Sequence, residues 1–224
     1  MKRGSMRFLI KLCSLSAWQR VFLRNLHKIR FKLYGVDLEE FNTSELGSPA
    51  KRALTHMNSG GPDLDRFLRS LSIKDTDAVI DFGCGKGSAL LTLANYPFRL
   101  VDGIELSPEL AQVARENLTR MGVKNVRVFT CDAAEFRDLD LYTFVYMFNP
   151  FPDSVMRHVM QNLVDSLVRK PRRLMIIYLN PVCHDRLVTY GFRKTDEVSN
   201  CIFPLFVYQS VGDNLGSRSG AYAS

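Results

Sequence analysis

Residues 79–87 read Val-Ile-Asp-Phe-Gly-Cys-Gly-Lys-Gly, and this stretch decides the fold. A short apolar run leads directly into three glycines, Gly83, Gly85 and Gly87, and a helical pattern begins at Ser88. Glycine tolerates positive φ and lets a backbone approach a ligand closely. A bare glycine pattern is weak evidence by itself, because an ordinary tight turn can carry one. The stretch therefore predicts a strand, a glycine-rich turn and a helix, and the surrounding residues must indicate what the turn binds.

Strand and helix patterns alternate through most of the chain. Five apolar strand patterns are predicted, at 78–82, 99–106, 126–130, 143–148 and 174–179. The helical patterns between them lie at 88–95, 108–121 and 154–168. Two further β-rich runs, at 192–198 and 202–209, have no helical pattern between them. Strands separated by helices predict an α/β fold, with a mostly parallel sheet of seven strands, helices on both faces and a terminal antiparallel hairpin.

Acidic residues stand at or just after the ends of the first three strands. Glu105 follows Asp81 by 24 positions, where a carboxylate can accept both hydroxyls of a ribose. Asp132 follows the third strand and can accept a hydrogen bond from an adenine amino group. Any one of these acids alone would more often be a surface or capping residue. Three in register favour a ligand at the carboxyl edge of the sheet, where open α/β sheets bind ligands.

On these residues the chain resembles the class I, seven-stranded S-adenosylmethionine-dependent methyltransferases, over roughly 63–209. That family has an acid before Gly-x-Gly-x-Gly, an acid closing the second strand and an acid after the third. In finer detail the chain is similar to bacterial methyltransferases of unassigned substrate that are distantly similar to the seven-stranded histone-lysine methyltransferases. The finer similarity rests on 81–87, 103–107 and 148–151. The resemblance implies a three-layer, Rossmann-like fold and S-adenosyl-L-methionine as the methyl donor.

The resemblance also implies roles for single residues in holding this donor. Asp81 would order the glycine loop, Glu105 would hold the ribose and Asp132 the adenine. The other residues expected in the donor site are the loop glycines and the neighbours of the acids and of the fourth strand, namely Gly83, Gly85, Gly87, Leu106, Ala133 and Asn149.

The expected activity is methyl transfer to an unidentified acceptor, with a nitrogen of a protein lysine or a small amine as one candidate. Two alternatives remain from the residues alone. A nicotinamide (NAD) dehydrogenase also uses a glycine turn and a later acid, but its usual pattern is Gly-x-Gly-x-x-Gly and it would not need Asp132. The second alternative is a scaffold protein that binds the donor without turnover. The intact set of donor-binding acids argues against it.

Two Asn-Pro corners supply candidate catalytic residues. Asn149-Pro150-Phe151-Pro152 follows the fourth strand and resembles the Asn-Pro-Pro-aromatic motif of methyltransferases that act on planar nitrogens, although Phe stands third here. Asn149 would orient the acceptor and Phe151 would stack on it, unless the motif is only a rigid turn before the next helix. Asn180-Pro181 ends the fifth strand, and His184 follows as a candidate general base or a solvated helix histidine.

The net charge of +7 is located in the N-terminal extension. Residues 1–36 contain nine Lys or Arg and no acid, whereas the remainder holds 21 basic and 23 acidic residues. This distribution makes nucleic acid an unexpected partner for the core domain. The extension, 1–33, has apolar residues at three- and four-residue steps and predicts a basic amphipathic helix. It would pack on the core, contact an anionic membrane peripherally or act as a mitochondrial targeting segment.

The remaining organisation is simple. A segment at 34–62 connects the extension to the methyltransferase domain at 63–210 and is expected to fold over the donor site, and 211–224 is expected to be a disordered tail. Helix caps are expected at Asp63 and Asp153.

Five widely spaced cysteines without a Cys-x-x-Cys pair favour a reducing, cytoplasmic location, and neither a metal site nor a membrane-spanning run is expected. The oligomeric state is not readable.

Overall fold

The computed structural model describes residues 31–39, 58–198 and 203–210, together with Phe22, Asn25, Leu26 and Ile29. Its elements, in chain order, are α1 (Pro62–Arg69), β1 (Ala78–Phe82), α2 (Ser88–Leu93), β2 (Leu100–Glu105), α3 (Pro108–Arg120), β3 (Val126–Thr130), β4 (Phe144–Phe148), α4 (Asp153–Arg169), β5 (Met175–Leu179), α5 (His184–Thr189), β6 (Phe192–Val198) and β7 (Leu205–Ser210). The expected tail at 211–224 and most of the extension and of the connecting segment lie outside the described residues.

All seven strands form one sheet in the order β3-β2-β1-β4-β5-β7-β6. Strands β1 to β5 are parallel, and β7 runs antiparallel between β5 and β6. The predicted α/β fold with a terminal antiparallel pair is confirmed. The strand order reverses between β1 and β4, and a crevice at such a switch point is where this kind of sheet binds ligands. The glycine turn after β1 and the Asn-Pro corner after β4 both lie there.

Both faces of the sheet are covered, which is why its central strands are apolar throughout. In β1, Ile80 packs into the core under α4 and α5, while Val79 packs into the opposite core under α1 and α2. Every residue of β1 is buried. The central strands β1, β4 and β5 therefore have nearly continuous apolar runs instead of alternation, as expected for strands buried on two sides, whereas β3 at the sheet edge reads Val-Arg-Val-Phe-Thr and is not fully buried.

The structure corrects two local predictions, both of helix caps. Helix α1 begins after Gly61 without a side-chain cap, and Asp63 lies in its first turn. Helix α4 has Pro152 at its N-cap position, and Asp153 is its first residue. A carboxylate in the first turn still interacts favourably with the helix dipole, so acids at these positions need not be caps. The connection between β3 and β4, where no helical pattern is predicted, consists of turns and extended segments.

The described part of the N-terminal extension is helical and ends at the core. Its backbone is helical at Phe22, Asn25, Leu26, Ile29 and 31–33. Among the described residues, no helix is both long enough and apolar enough to cross a bilayer.

Candidate functional site

The glycine turn adopts the left-handed backbone that its sequence predicts. Gly83, Gly85 and Gly87 have φ values of 77°, 52° and 83°. The amides of Gly83 and Cys84 both donate to the carbonyl of Ile104 at 2.9 Å, which fastens the turn to β2. A Cβ on Gly83 would lie 2.6 Å from Cβ of Pro150, so glycine is required there for the turn to approach the corner after β4.

Two buried carboxylates lie beneath the turn. Asp81 is 2% exposed and Glu105 is 6% exposed. Glu105 accepts hydrogen bonds from the backbone amides of Gly85 at 2.8 Å and Ser107 at 2.9 Å. The loop-ordering role that the resemblance gives to Asp81 therefore falls to Glu105 in this structure. Each Glu105 oxygen keeps a further lone pair with which to accept a ligand hydroxyl.

Asp81 is the least satisfied polar group of the site. Its Oδ2 atom is buried and has no hydrogen-bond partner. Burial and the nearby negative charge of Glu105 raise the pKa of Asp81 well above its ordinary range. Burial also raises the pKa of Glu105, although the backbone amides that it accepts from act in the opposite direction. Two adjacent buried acids of this kind are suited to a ligand that brings positive charge.

The third acid lies at the same edge, next to an open volume. Asp132 is half-buried, accepts a hydrogen bond from the amide of Ala134 at 2.9 Å and lines a cavity of about 350 Å³. The amide of Cys131 donates to the carbonyl of Glu105, which joins the ends of β2 and β3. Ala133 is buried against the core. The edge thus brings Asp132 towards Glu105, as the sequence predicts.

Leu106 and the described end of the connecting segment complete this side of the site. Leu106 is half-buried between Glu105 and the N-cap of α3. A Cβ on Gly60 would lie 2.0 Å from the carbonyl oxygen of Ser88, which follows the glycine turn directly. The Gly61 amide donates to the Thr92 hydroxyl at 2.9 Å. This end of the segment therefore packs on the start of α2, beside the turn.

Two Asn-Pro corners lie side by side at the ends of β4 and β5. Asn149 and Asn180 have positive φ values of 38° and 52°, a conformation that asparagine tolerates better than most residues. The Tyr178 hydroxyl lies between the corners, 3.5 Å from Oδ1 of Asn149 and 3.4 Å from the amide of Cys183. Burial raises the pKa of Tyr178, so its hydroxyl keeps its proton.

A cavity of about 590 Å³ opens at the first corner. It is lined by side chains from the corner, the start of α4 and the start of α5: Asn149, Phe151, Pro152, Asp153, Val182, Cys183, Asp185, Arg186 and Thr189. Arg186 makes a paired contact with Asp153, from Nε at 2.6 Å and from its second nitrogen at 2.9 Å. Two carboxylates and one guanidinium give the lining a net charge of −1.

The structure uses Phe151 and His184 differently from the prediction. The ring of Phe151 is 7% exposed and packs against Phe82 in a T-shaped arrangement with the ring centroids 6.3 Å apart, so little of it is available to the cavity. His184 faces β7, where its Nδ1 lies 2.8 Å from the Tyr208 hydroxyl and its ring packs edge-on against Phe206. It does not line the cavity at Asn149. The expectation that His184 joins Asn149 in one cleft is therefore not met.

Sequence reasoning missed one polar cluster behind the glycine turn. Lys86 is 6% exposed, and its Nζ contacts both oxygens of Asp37 at 2.7 and 2.9 Å. Asn117 of α3 is fully buried, and its amide nitrogen donates to the carbonyls of Asp37 and Lys86. A polar residue on the buried face of α3 was a detectable signal for Asn117. The sequence predicts that the segment at 34–62 folds over the donor site, but no local pattern identifies Lys86 and Asp37 as the residues that pair.

Comparisons with known proteins agree with this geometry. Residues 79–170 match a protein family described as "Methyltransferase domain". The chain is 46% identical over 73 residues to the release factor glutamine methyltransferase of Vibrio cholerae, covering 30% of this chain and 25% of that protein. It is 34% identical over 113 residues to the protein-L-isoaspartate O-methyltransferase of Methanocella arvoryzae, covering 49% of this chain and 57% of that protein. The chain thus spans between a quarter and somewhat more than half of these relatives.

Solved structures share the fold at low sequence identity. A SAM-dependent O-methyltransferase from Thermotoga maritima superposes with a TM-score of 0.54 at 18% identity, over 70% of this chain and 68% of that chain. An RNA methyltransferase from Salinibacter ruber, in complex with S-adenosyl-L-homocysteine, superposes with a TM-score of 0.52 at 20% identity, over 71% of this chain and 99% of that chain. At these identities the likeness concerns the fold alone.

Proposed function

We propose that this chain, which contains a methyltransferase domain of the class I, S-adenosylmethionine-dependent family, transfers the methyl group of that donor to a nitrogen acceptor. The observation that carries the proposal is the pair of buried acids, Asp81 and Glu105, beneath a left-handed glycine turn. The buried Asp81 Oδ2 atom has no hydrogen-bond partner, which supports a cationic ligand at this position. The choice of a nitrogen as the acceptor rests on the cavity at Asn149.

The residues present fit S-adenosylmethionine. Its ammonium and sulfonium groups are cationic and would relieve the repulsion between Asp81 and Glu105. Glu105 can accept the ribose hydroxyls while it continues to hold the amides of Gly85 and Ser107. Asp132 stands beside an open cavity, where it can accept from the adenine amino group. This arrangement has no evident use for the second nucleotide of a dinucleotide such as NAD.

When bound, S-adenosylmethionine supplies a methyl group that the sulfonium charge already activates. The protein therefore has to align the acceptor in line with the methyl group and exclude water. Because Pro150 packs against the space above Gly83, the Asn149 corner adjoins the turn that holds the donor. Asn149 can accept a hydrogen bond from an amine and so orient its lone pair. Phe151 lines the same cavity beside Asn149.

Charge supports a nitrogen acceptor. The cavity at Asn149 carries two carboxylates, Asp153 and Asp185, against one guanidinium, Arg186. The pairing with Arg186 lowers the pKa of Asp153, so this carboxylate stays ionised at neutral pH. A lining with excess negative charge favours an amine over an anionic acceptor. Of the two relatives, one is a glutamine methyltransferase by name and the other an O-methyltransferase, so the proposal of a nitrogen rests on the cavity and not on the relatives.

Asn149→Ala is expected to lower turnover by about a hundredfold, the order of loss that a misoriented reacting group produces. The donor affinity should change little, because the carboxylates of β1 and β2 grip the donor elsewhere. The acceptor would first be identified by mass spectrometry of a cell extract incubated with isotopically labelled donor. Donor affinity and turnover would then be measured separately on the same preparation.

Asn180→Ala is the matched control for this substitution. It removes the same side chain from an Asn-Pro corner with a positive φ, but Asn180 does not line the cavity. Its turnover should stay near that of the wild type even if its stability falls. Equal losses of turnover in both variants would show that only the corner geometry matters. Label found on oxygen or carbon would refute the nitrogen acceptor without affecting donor binding.

A further inference from the structure

The N-terminal helical segment exposes a row of large apolar side chains. Phe22, Leu26, Ile29 and Leu33 follow one another at steps of four, three and four residues and are 62%, 46%, 56% and 81% exposed. Such spacing places them on one side of a helix. We call these four residues the apolar stripe. Single exposed apolar residues are ordinary, but a contiguous stripe of this kind marks an interaction surface.

The other side of the same segment is fixed to the domain. Phe31 and Val36 are 6% and 8% exposed and belong to the core on the α2 face of the sheet. The helix ends at Gly35, which has a φ of 66° and whose carbonyl accepts a hydrogen bond from Arg120 of α3. Because Phe31 makes the packing contact, the apolar stripe is held away from the core. The expectation that the stripe packs on the core fails at these four positions.

The charge of the segment indicates what the stripe meets. Residues 1–36 carry nine Lys or Arg and no Asp or Glu, while the remaining chain has a balance of −2. Lys32, adjacent to Leu33, is exposed. Positive charge concentrated beside the apolar stripe would complement a surface whose outer layer is negatively charged and whose inner layer is apolar. An anionic lipid bilayer has this layering, with phosphate groups above acyl chains.

We propose that the apolar stripe inserts into the interface of an anionic membrane and holds the methyltransferase domain at its surface. The side chains of the stripe enter the boundary between headgroups and acyl chains, and the surrounding Lys and Arg residues pair with lipid phosphates. Since Phe31 and Val36 stay in the core, docking requires no unfolding of the domain. The contact is peripheral and reversible, and it is independent of the acceptor.

The test is cosedimentation of the full chain with vesicles at about 0.1 M and about 1 M salt, which shorten the screening length from about 10 Å to about 3 Å. Vesicles of phosphatidylcholine alone are compared with vesicles that contain about a third phosphatidylglycerol. The protein should bind the anionic vesicles more strongly, and high salt should weaken the binding. Ile29→Glu should lower the partition coefficient for the vesicles at least about tenfold, because it replaces an aliphatic side chain that would enter the membrane interface by a charged one.

Val168→Glu is the matched control. Val168 is an aliphatic helix residue with 51% exposure on α4, close to the 56% of Ile29, and the substitution changes the charge equally. It should leave vesicle binding unchanged. Equal loss of binding in both variants, or no preference of the wild type for anionic vesicles, would overturn the proposal. A third outcome would also overturn it: a wild-type protein that is dimeric, does not bind vesicles, and becomes monomeric in the Ile29→Glu variant. The apolar stripe would then be a contact between two copies of the chain.

Discussion

Asp81→Asn is expected to remove most of the affinity for S-adenosylmethionine and, at the same time, to stabilise the ligand-free protein. The substitution removes a buried charge that the cationic donor would neutralise. Loss of one partner from a buried charge pair weakens binding by about 2–5 kcal/mol, which corresponds to a roughly 30- to 4,000-fold larger dissociation constant. Calorimetric titration with the donor measures this effect directly.

The gain in stability follows from the raised pKa of Asp81, which burial and Glu105 cause. The native state holds this proton more tightly than the unfolded chain does. Stability is therefore highest below the ordinary carboxyl pKa and falls as the pH rises through the raised value. At neutral pH the asparagine variant escapes this loss, and each kcal/mol recovered raises Tm by about 2–4 °C in a chain of this size. A thermal melt at several pH values shows whether the difference grows with pH.

The protonation of Asp81 also predicts that the affinity for the donor depends on pH. As the pH falls through the raised pKa of Asp81, the carboxylate is protonated and its attraction for the cationic donor is lost. Donor affinity should therefore decline towards acid, by up to about tenfold per pH unit. Asp75→Asn is the control, since Asp75 is an exposed acid shortly before β1 and the charge change is equal. An Asp81→Asn variant with wild-type affinity and a lowered Tm would remove Asp81 from the donor site.

Glu105→Ala should also weaken donor binding, by about 1.5–3 kcal/mol or roughly 10- to 150-fold, the range for hydrogen bonds to a charged group. Its effect on stability should have the opposite sign from that of Asp81→Asn. The amides of Gly85 and Ser107 lose their acceptor, and unsatisfied buried amides are destabilising. The two acids of one site are thus distinguishable by their melting temperatures.

The control for Glu105→Ala is Glu116→Ala, which removes the same charge from an exposed position of α3, where Glu116 contacts Arg120 at 3.6 Å and accepts a hydrogen bond from Gln112 at 3.0 Å. This control should leave both donor affinity and stability nearly unchanged, because exposed ion pairs contribute little. If Glu105→Ala binds the donor as the wild type does, Glu105 is purely a structural support for the glycine turn.

The sequence was sufficient for the parallel sheet and for the position of three acidic residues at its carboxyl edge. The ends of the five parallel strands were predicted within one residue, because β1, β4 and β5, which are buried on both faces, are nearly continuous apolar runs. Asp81, Glu105 and Asp132 could be assigned to one edge, because the carboxyl ends of parallel strands meet there. The positive φ of the loop glycines followed from their place in a tight turn between a strand and a helix.

Contacts between distant segments could not be predicted in this way. The direction of His184 is decided by Tyr208 and Phe206, which arrive with β7 from the end of the domain. Phe151 was expected to face a ligand, but its ring fills space against Phe82. Lys86 pairs with Asp37 across 49 positions of the chain. Each of these depends on tertiary packing that local pattern does not encode.

The interpretation of Asp153 as a helix cap shows a subtler limit. An acid that opens a helical pattern suits both the N-cap and the first turn, and the sequence alone does not separate the two. In the structure Asp153 lies in the first turn of α4 and pairs with Arg186 of α5. That pairing places both residues in the lining of the cavity at Asn149, and so gives Asp153 a place in the proposed acceptor site.

The most direct test of the donor site is an equilibrium titration of the full chain with S-adenosylmethionine, with its demethylated product S-adenosylhomocysteine, and with NAD. The two sulfur nucleosides share the ribose and adenine that Glu105 and Asp132 are expected to hold, so both should give saturable binding. S-adenosylmethionine should show the stronger dependence on pH, because only it carries the sulfonium charge near Asp81. NAD should give no saturable signal. Binding of NAD alone, or of none of the three, would contradict the account.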